Sequence, residues 1–224
     1  MFDTKCKICR RLGVKLFLKG ERCLSPKCPM VKRPYPPGQK GKRRKGPPSE
    51  FGKESREKQK LKILYNLGEK QFKNYVKKVL ERKGKVGDLS AFLIKILELR
   101  LDNIIFRLGF AYSRAEARQL VSHNFFLVNG KPVNLPSYQL KKGDVITVKP
   151  QKTKKVIFQN LKNLLKKYKT PSWLELDTQA LAKRGDERSS SSIEKLQGKV
   201  IDDPKLEEVA PPVEIPVIFE YYSR

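Results

Sequence analysis

Four cysteines stand at Cys6, Cys9, Cys23 and Cys28, spaced C-x2-C-x13-C-x4-C, and the chain holds no others. Two close pairs separated by a short loop match tetrahedral thiolate ligation, each tight turn supplying two sulfurs. A metal bound there would fold a segment too small for a core of its own. Zinc is the leading ion. A 4Fe-4S cluster is the alternative, since it also accepts four thiolates. Disulfides suit a secreted chain, and MFDTKCKICR runs into cysteine and charge without an apolar signal core. A redox pair needs one Cys-x-x-Cys, not two pairs and nothing else. Lys5, Lys7, Arg10, Arg11 and Lys15 surround the cysteines. On a rigid knuckle they suit phosphate contact, with ordinary solvated charge as the alternative.

Catalytic patterns are missing. His123 is the only histidine, and neither a nucleophile motif nor an orienting partner accompanies it. It reads as a helix-end hydrogen bonder or a nucleic-acid contact. No P-loop, G-x-G-x-x-G, G-x-S-x-G or H-E-x-x-H occurs.

Charge governs the remaining possibilities. The 224 residues hold 50 Lys and Arg against 23 Asp and Glu, a net +27. Such an excess calls for a polyanionic partner. The hydrophobic share of 38% still provides for a packed core. No apolar run approaches the ~18 residues that a membrane span needs. Residues 1–60 carry +14, residues 61–150 carry +10, and the last 50 residues carry −4. The basic charge is spread along the chain rather than gathered on one amphipathic helix, which favours nucleic acid over an anionic membrane.

The elements that must position these groups are legible in outline. The fold class is α+β. A mainly helical domain, with an N-terminal four-Cys metal knuckle, is followed by a compact small α/β unit of two helices on a short antiparallel sheet. Residues 1–31 are the knuckle. Residues 32–48, KRPYPPGQKGKRRKGPP, hold five prolines and seven basic residues. That composition predicts an extended arm ordered only against its target, with Lys40, Lys42, Arg43, Arg44 and Lys45 as its contacts. A nuclear-localisation patch is the bland alternative. Residues 49–98 are the first part of the helical domain. Glu69 to Lys83 predicts a helix with Phe72, Val76, Val79 and Leu80 on one face, stopped by Gly84. Ser90 is a candidate cap for the next helix.

Residues 99–165 form the small domain. Its first helix points Leu101, Ile104, Ile105 and Leu108 inward, with Arg100, Asn103 and Arg107 opposite. Ser113-Arg114-Ala115-Glu116 is a capping box. The helix it opens carries Arg114, Arg118 and Ser122 at i, i+4 and i+8 on its outer face. Arg100, Arg107, Ser113, Arg114, Arg118, Ser122, His123, Asn124 and Lys131 are the candidate RNA contacts. Guanidinium groups grip phosphates bidentately. Asn129-Gly130 signals a type I′ hairpin from a strand at Phe125 to Val128, and Pro132 suggests an edge strand. A third strand follows at Val145 to Lys149. A helix from Lys155 to Lys169 comes next. Residues 166–224 return to the helical domain, with Trp173, Leu174 and Leu176 anchoring on its helices. Within them, 183–212 reads as a flexible excursion, and Val213 to Tyr222 is β-prone.

Residues 99–138, LRLDNIIFRLGFAYSRAEARQLVSHNFFLVNGKPVNLPSY, closely resemble the RNA-binding domain of the bacterial small-subunit ribosomal protein S-four family. PYPPGQKGKRRKG and REKQKLKILYNLGEKQFKNYVKK resemble that family's N-terminal half, and TPSWLELD and IFEYYSR its C-terminal segment. The cysteine spacing is similar to that of its metal-bearing members. The resemblance implies that the small α/β unit is an RNA-binding domain inserted into the helical one, in a non-enzymatic, cytoplasmic constituent of the small ribosomal subunit. Such a protein would bind small-subunit ribosomal RNA at the five-way junction of the 5′ domain and nucleate assembly. It would border the channel where mRNA enters, beside proteins S-three and S-five, and influence decoding accuracy. Some members repress their own mRNA. Two departures stand out: the chain begins a few residues short of the usual start, and 183–212 looks longer than its equivalent. Two other classes stay open. A pseudouridine-synthase-like RNA-modifying enzyme carries the same small domain but needs an acidic nucleophile. A zinc-dependent DNA-binding regulator would prefer duplex DNA.

Overall fold

The structure, a computed structural model, describes residues 4–39, 41–42, 46–153, 155, 165, 168–177 and 196–223. Most of the helix expected from Lys155 to Lys169 lies outside the described residues, as does 183–195 of the expected excursion. The described helices are α1 (Thr4–Leu12), α2 (Glu21–Leu24), α3 (Pro29–Lys32), α4 (Glu50–Leu64), α5 (Glu69–Leu80), α6 (Leu89–Glu98), α7 (Leu101–Arg107), α8 (Arg114–Ser122), α9 (Leu206–Val209) and α10 (Ile215–Ser223). The strands are β1 (Phe126–Val128), β2 (Lys131–Pro132), β3 (Val145–Val148), β4 (Leu174–Asp177) and β5 (Gln197–Val200). The chain divides into two compact units, Met1–Ile94 with Val209–Arg224, and Lys95–Glu208.

In the first unit, α1 ends at Gly13, whose φ of +73° lets its N–H reach the Cys9 carbonyl at 2.9 Å. The side chain of Ser49 caps α4 by accepting from the Gly52 N–H at 3.2 Å. Helix α5 buries Phe72, Val76 and Val79, the stripe its periodicity predicts. Asp88, not Ser90, caps α6: its carboxylate accepts from the Ser90 N–H at 2.8 Å and its carbonyl from the Phe92 N–H at 3.1 Å. Ser90 lies two residues too deep for that role.

Two expectations fail in this unit. The basic arm is not extended over its described part. The Gly41 N–H donates to the Gly38 carbonyl at 3.1 Å, and a Cβ at position 41 would lie 2.0 Å from the Pro36 carbonyl oxygen. A turn this tight excludes every side chain. Val213 to Tyr222 contributes a helix rather than a strand. Pro216 sits in the first turn of α10, where its missing N–H costs nothing. Ile215 and Ile218 are buried, and α10 packs on α4 and α5. Packing of one face has overridden local β-propensity.

A polar clasp holds α10 in place. Lys58 Nζ donates to Glu69 Oε1 at 2.7 Å and to the Tyr221 hydroxyl at 3.2 Å, and lies 4.2 Å from the Tyr221 ring centroid. Lys62 donates to Glu69 Oε2 at 2.7 Å, and the Tyr222 hydroxyl donates to Oε1 at 3.0 Å. Burial alone would push the Glu69 carboxyl up. Hydrogen bonds from Lys58, Lys62 and Tyr222 outweigh it and hold the group at about 2.

The second unit is built on a five-stranded antiparallel sheet of order β2-β1-β3-β5-β4. Asn129 and Gly130 turn β1 into β2 with φ of +49° and +79°, as a type I′ turn requires. Pro132 lies on the outermost strand, where no ladder donor is lost. The sheet is larger than the three strands legible in sequence, because β4 and β5 complete it. Residues 196–212, expected to be part of a flexible excursion, instead supply β5 between β3 and β4, and then α9. Trp173, 2% exposed, packs in the second unit's own core with Leu108, Phe126, Ile146 and Val200. The expected anchoring of Trp173, Leu174 and Leu176 on the helical domain is therefore corrected. Val209 onward, ending in α10, makes that return. Gly198 in β5 explains the close fit, since a Cβ there would lie 2.4 Å from Leu108 Cδ1.

Two outcomes test this packing. Gly198→Val forces Leu108, fully buried, out of place, and unfolding by urea should show a loss of about 1–3 kcal/mol. Glu69→Gln removes the clasp carboxylate. Because the folded group titrates near 2 rather than 4.5, its contribution is present above pH 4.5 and disappears as pH falls toward 2. The Glu69 side chain is 47% exposed, so screening limits the gain to about 1 kcal/mol. The stability gap between wild type and variant should be flat above pH 4.5 and close between pH 4.5 and 2.

Candidate nucleic-acid interface

The cysteines come first, because the short helices around them bury little else. Cys9, Cys23 and Cys28 are buried and Cys6 half-buried, all as free thiols. The Lys19 N–H donates to Cys23 Sγ at 3.3 Å. Burial pushes the Cys9 thiol up. A backbone hydrogen bond at Leu16 pulls it back, and the nearby Cys23, Cys6 and Cys28 push it up further. All four sulfurs thus belong to one electrostatic neighbourhood. Among the described residues, no group of three or more His, Cys, Asp or Glu side chains forms a ready ligating array. The donor set fits a soft metal in its chemistry: four thiols, amide donors aimed at sulfur, and no disulfide.

Around them, Lys7 and Arg11 are exposed. Arg10 is not free for a ligand at every edge. Its Nε donates to the Tyr35 carbonyl at 2.9 Å, and its guanidinium lies 5.1 Å from the Tyr35 ring centroid. Lys42 reaches the same ring at 5.5 Å. Lys40, Arg43, Arg44 and Lys45 lie outside the described residues.

In the second unit the predicted arginine face divides. Arg100 is 1% exposed, and its Nε and Nη2 donate to Asp102 at 3.2 and 2.9 Å. Burial pushes the Asp102 carboxyl up, while Arg100, Arg118 and the Asn103 N–H pull it back. Arg100 is therefore removed from the RNA contacts. It stands before α7 in extended conformation, φ −69° and ψ 138°, so the helical periodicity that placed it outward does not apply.

Glu98, fully buried, organises the rest. Its carboxylate accepts from Asn103 Nδ2 at 2.6 Å and from Arg107 Nε and Nη2 at 2.9 and 2.8 Å. Arg114 lies 3.9 Å from it, donates through Nε to Asn103 Oδ1 at 2.8 Å, and covers the Phe106 ring at 4.6 Å. Arg107 and Arg114 are thus held by the fold, with 23% and 12% of their side chains exposed. Sequence reading missed Glu98 as their partner. The signal was one acid preceding two arginines across a helix break.

Ser113 is buried as the α8 cap, accepting from the Glu116 N–H at 3.3 Å. Its hydroxyl serves the helix and is removed from the RNA contacts. Asn124 adopts φ +58° in the turn that ends α8. Arg118 is half-buried near Asp102. Ser122, His123 and Lys131 remain exposed. Sequence reading also passed over the exposed row Lys70, Lys73 and Lys77 on α5, opposite its buried stripe. Their spacing of three and four was the available signal.

Glu98→Ala leaves the Arg107 guanidinium and the Asn103 amide facing a buried void. The expected cost is about 3–5 kcal/mol in denaturant unfolding. Lys131→Ala, at an exposed hairpin position, should cost less than about 0.5 kcal/mol in the same measurement.

Comparison with known proteins divides the first 146 residues near the same point. The family described as "Ribosomal protein S4/S9 N-terminal domain" matches residues 2–98, and "S4 domain" matches residues 99–146. Their junction falls at the break between α6 and α7. Small ribosomal subunit protein uS4 of Thermus thermophilus is 46% identical over 220 residues, covering 98% of this chain and 96% of its own length. That of Caldicellulosiruptor saccharolyticus is 47% identical over 219 residues, with the same shares. That of Syntrophomonas wolfei is 44% identical over 223 residues, covering 99% and 98%. Identity this high along nearly the whole length, with both family regions in chain order, shows that the chain belongs to the ribosomal protein S4 family, uS4.

Proposed function

We propose that this protein is a structural, non-catalytic constituent of the small ribosomal subunit that binds small-subunit ribosomal RNA. One observation carries the reading: three acids, Glu69, Glu98 and Asp102, are taken up by cations of the fold itself, while a row of lysines is left exposed. Lys70, Lys73, Lys77 and Lys78 lie exposed without a carboxylate partner among the described residues. A surface so composed needs phosphates to neutralise it. Where RNA helices converge, fixed cations offset their mutual repulsion, so the folded junction is no longer opposed. Backbone and shape dominate such recognition, and base-specific contacts are few. The five-way junction of the 5′ domain, mRNA at its channel of arrival and proteins S-three and S-five are the proposed surroundings. A pseudouridine-synthase-like activity is disfavoured, because relatives matching along the whole chain are named as ribosomal proteins.

The cysteines enter the same proposal. Cys6, Cys9, Cys23 and Cys28 would hold zinc, with a 4Fe-4S cluster as the alternative. The ion supplies folding free energy to a module without an adequate core. The residues themselves bury the sulfurs and aim amide donors at them, and their basic neighbours Lys7 and Arg11 face outward.

Two experiments test these statements. If about eight phosphates are contacted, affinity for a small-subunit rRNA transcript should fall with salt at a log–log slope of roughly −6 to −7. A slope near zero, or equal competition by duplex DNA, would contradict the mechanism. Cys9→Ser with Cys28→Ser should abolish bound zinc by elemental analysis and expose residues 1–31 to protease. Unchanged metal stoichiometry would refute the ligand assignment, and visible charge-transfer absorbance would identify the cluster instead.

A further inference from the structure

A cleft of about 740 Å³ lies in the first unit between the end of α1, the folded arm and α4. Its cationic side is formed by Arg10 and Arg11 from the last turn of α1 and Arg56 from α4. Ser55 and Gln59, one turn apart on α4, add hydrogen-bonding groups to the wall. The opposing wall is the arm itself, whose prolines 34, 36, 47 and 48 are flat and carry no N–H. Among the described residues, no acidic side chain lines it. Arg11 and Arg56 are exposed and have no carboxylate partner among the described residues. Arg10, by contrast, is fixed by its bond to the Tyr35 carbonyl and its place over the Tyr35 ring.

We propose that this cleft is a binding site for an unpaired RNA nucleotide, its phosphates on Arg11 and Arg56 and its base against the proline wall. The inference rests on the RNA-binding reading above and adds a site and a substrate form to it. The volume falls within the range of ligand pockets, whereas a duplex groove surface would need a convex or open face. Guanidinium groups on one side and apolar ring surfaces on the other match the two faces of a nucleotide. The cleft is also built in advance. Gly41 permits the turn that brings the arm across, because any Cβ there would strike the Pro36 carbonyl. A preformed wall spares the ordering cost that a floppy arm would incur on binding.

The test uses the full chain, a labelled short single-stranded RNA, the same RNA annealed to its complement, and a small-subunit rRNA transcript. Wild type should prefer the single strand to the duplex. Arg11→Ala with Arg56→Ala should weaken single-strand binding about tenfold, as expected for lost charge-assisted contacts. The same variant should reduce the salt slope by about 0.7 for each phosphate released. Gln59→Trp fills the cleft while leaving every charge in place, and it should weaken binding as well. Melting curves close to wild type establish that both variants fold. Wild-type binding that neither variant disturbs, or equal affinity for the duplex, overturns the cleft assignment alone. Failure of the wild type to bind the rRNA transcript overturns the RNA-binding reading itself, which is a separable result.

Discussion

Like charges on one folded surface repel, and 50 basic residues against 23 acidic ones must be held together against that force. The placement of the few acids decides how. Glu69 gathers Lys58, Lys62 and Tyr222, and so fastens α10 to α4 and α5. Glu98 gathers Asn103 and Arg107 at the break between α6 and α7, with Arg114 of α8 close by. Asp102 gathers Arg100. Each acid sits where elements meet, and each removes cations from the pool that faces water. A buried pair, such as those of Glu98 and Asp102, adds little net stability over an apolar contact. Its value lies in geometry: an arginine bound at two nitrogens has one rotamer, not several.

That division explains what the sequence could and could not tell. Opposition to an apolar stripe correctly placed Arg107 and Arg114 off the core side of their helices, yet half-exposure there is compatible with a buried acid at its margin. Helical spacing does not identify Glu98, because its partners lie across a helix break where periodicity resets; only its place ahead of two arginines hints at it. Arg100 was misread for the same reason. Local rules succeeded where the determinants are local. Asn129-Gly130 made the hairpin, and Ser113 with Glu116 capped α8. The apolar stripe of α5 appears as its spacing requires. Distance along the chain defeated the rest. Strand β5 pairs with β3 from about fifty residues away, and its only residue-level mark is Gly198, a residue that usually argues against a strand. Helix α10 was unreadable because its β-prone side chains are satisfied by packing on α4 and α5, elements far away in sequence.

The N-terminal module shows the complementary limit. Four cysteine positions suggest a chemistry from spacing alone, while the arm beside them was misjudged from composition. Proline, glycine and lysine together suggest a segment without structure of its own. One contact reverses that conclusion, since the Gly41 backbone passes so close to Pro36 that the turn is a fixed feature. Tyr35 reinforces it by holding Arg10 and Lys42 near one ring. The arm is therefore part of the module's wall. Composition describes what a segment does when nothing touches it, and here the neighbouring helix touches it.

Salt acts on such a molecule in two opposed directions. Added ions screen the repulsion among unpaired lysines and so favour the compact free chain. The same ions weaken every phosphate contact by removing the gain from counterion release. Fold and complex consequently respond to ionic strength with opposite signs, although both are governed by one set of exposed cations. The buried pairs at Glu98 and Asp102 stand largely outside this balance, because screening falls off sharply for charges removed from water. A chain organised in this way keeps the buried joints of its scaffold insensitive to the medium and leaves its adhesion to RNA sensitive to it. The separation follows from where two carboxylates are buried, not from how many cations the chain carries.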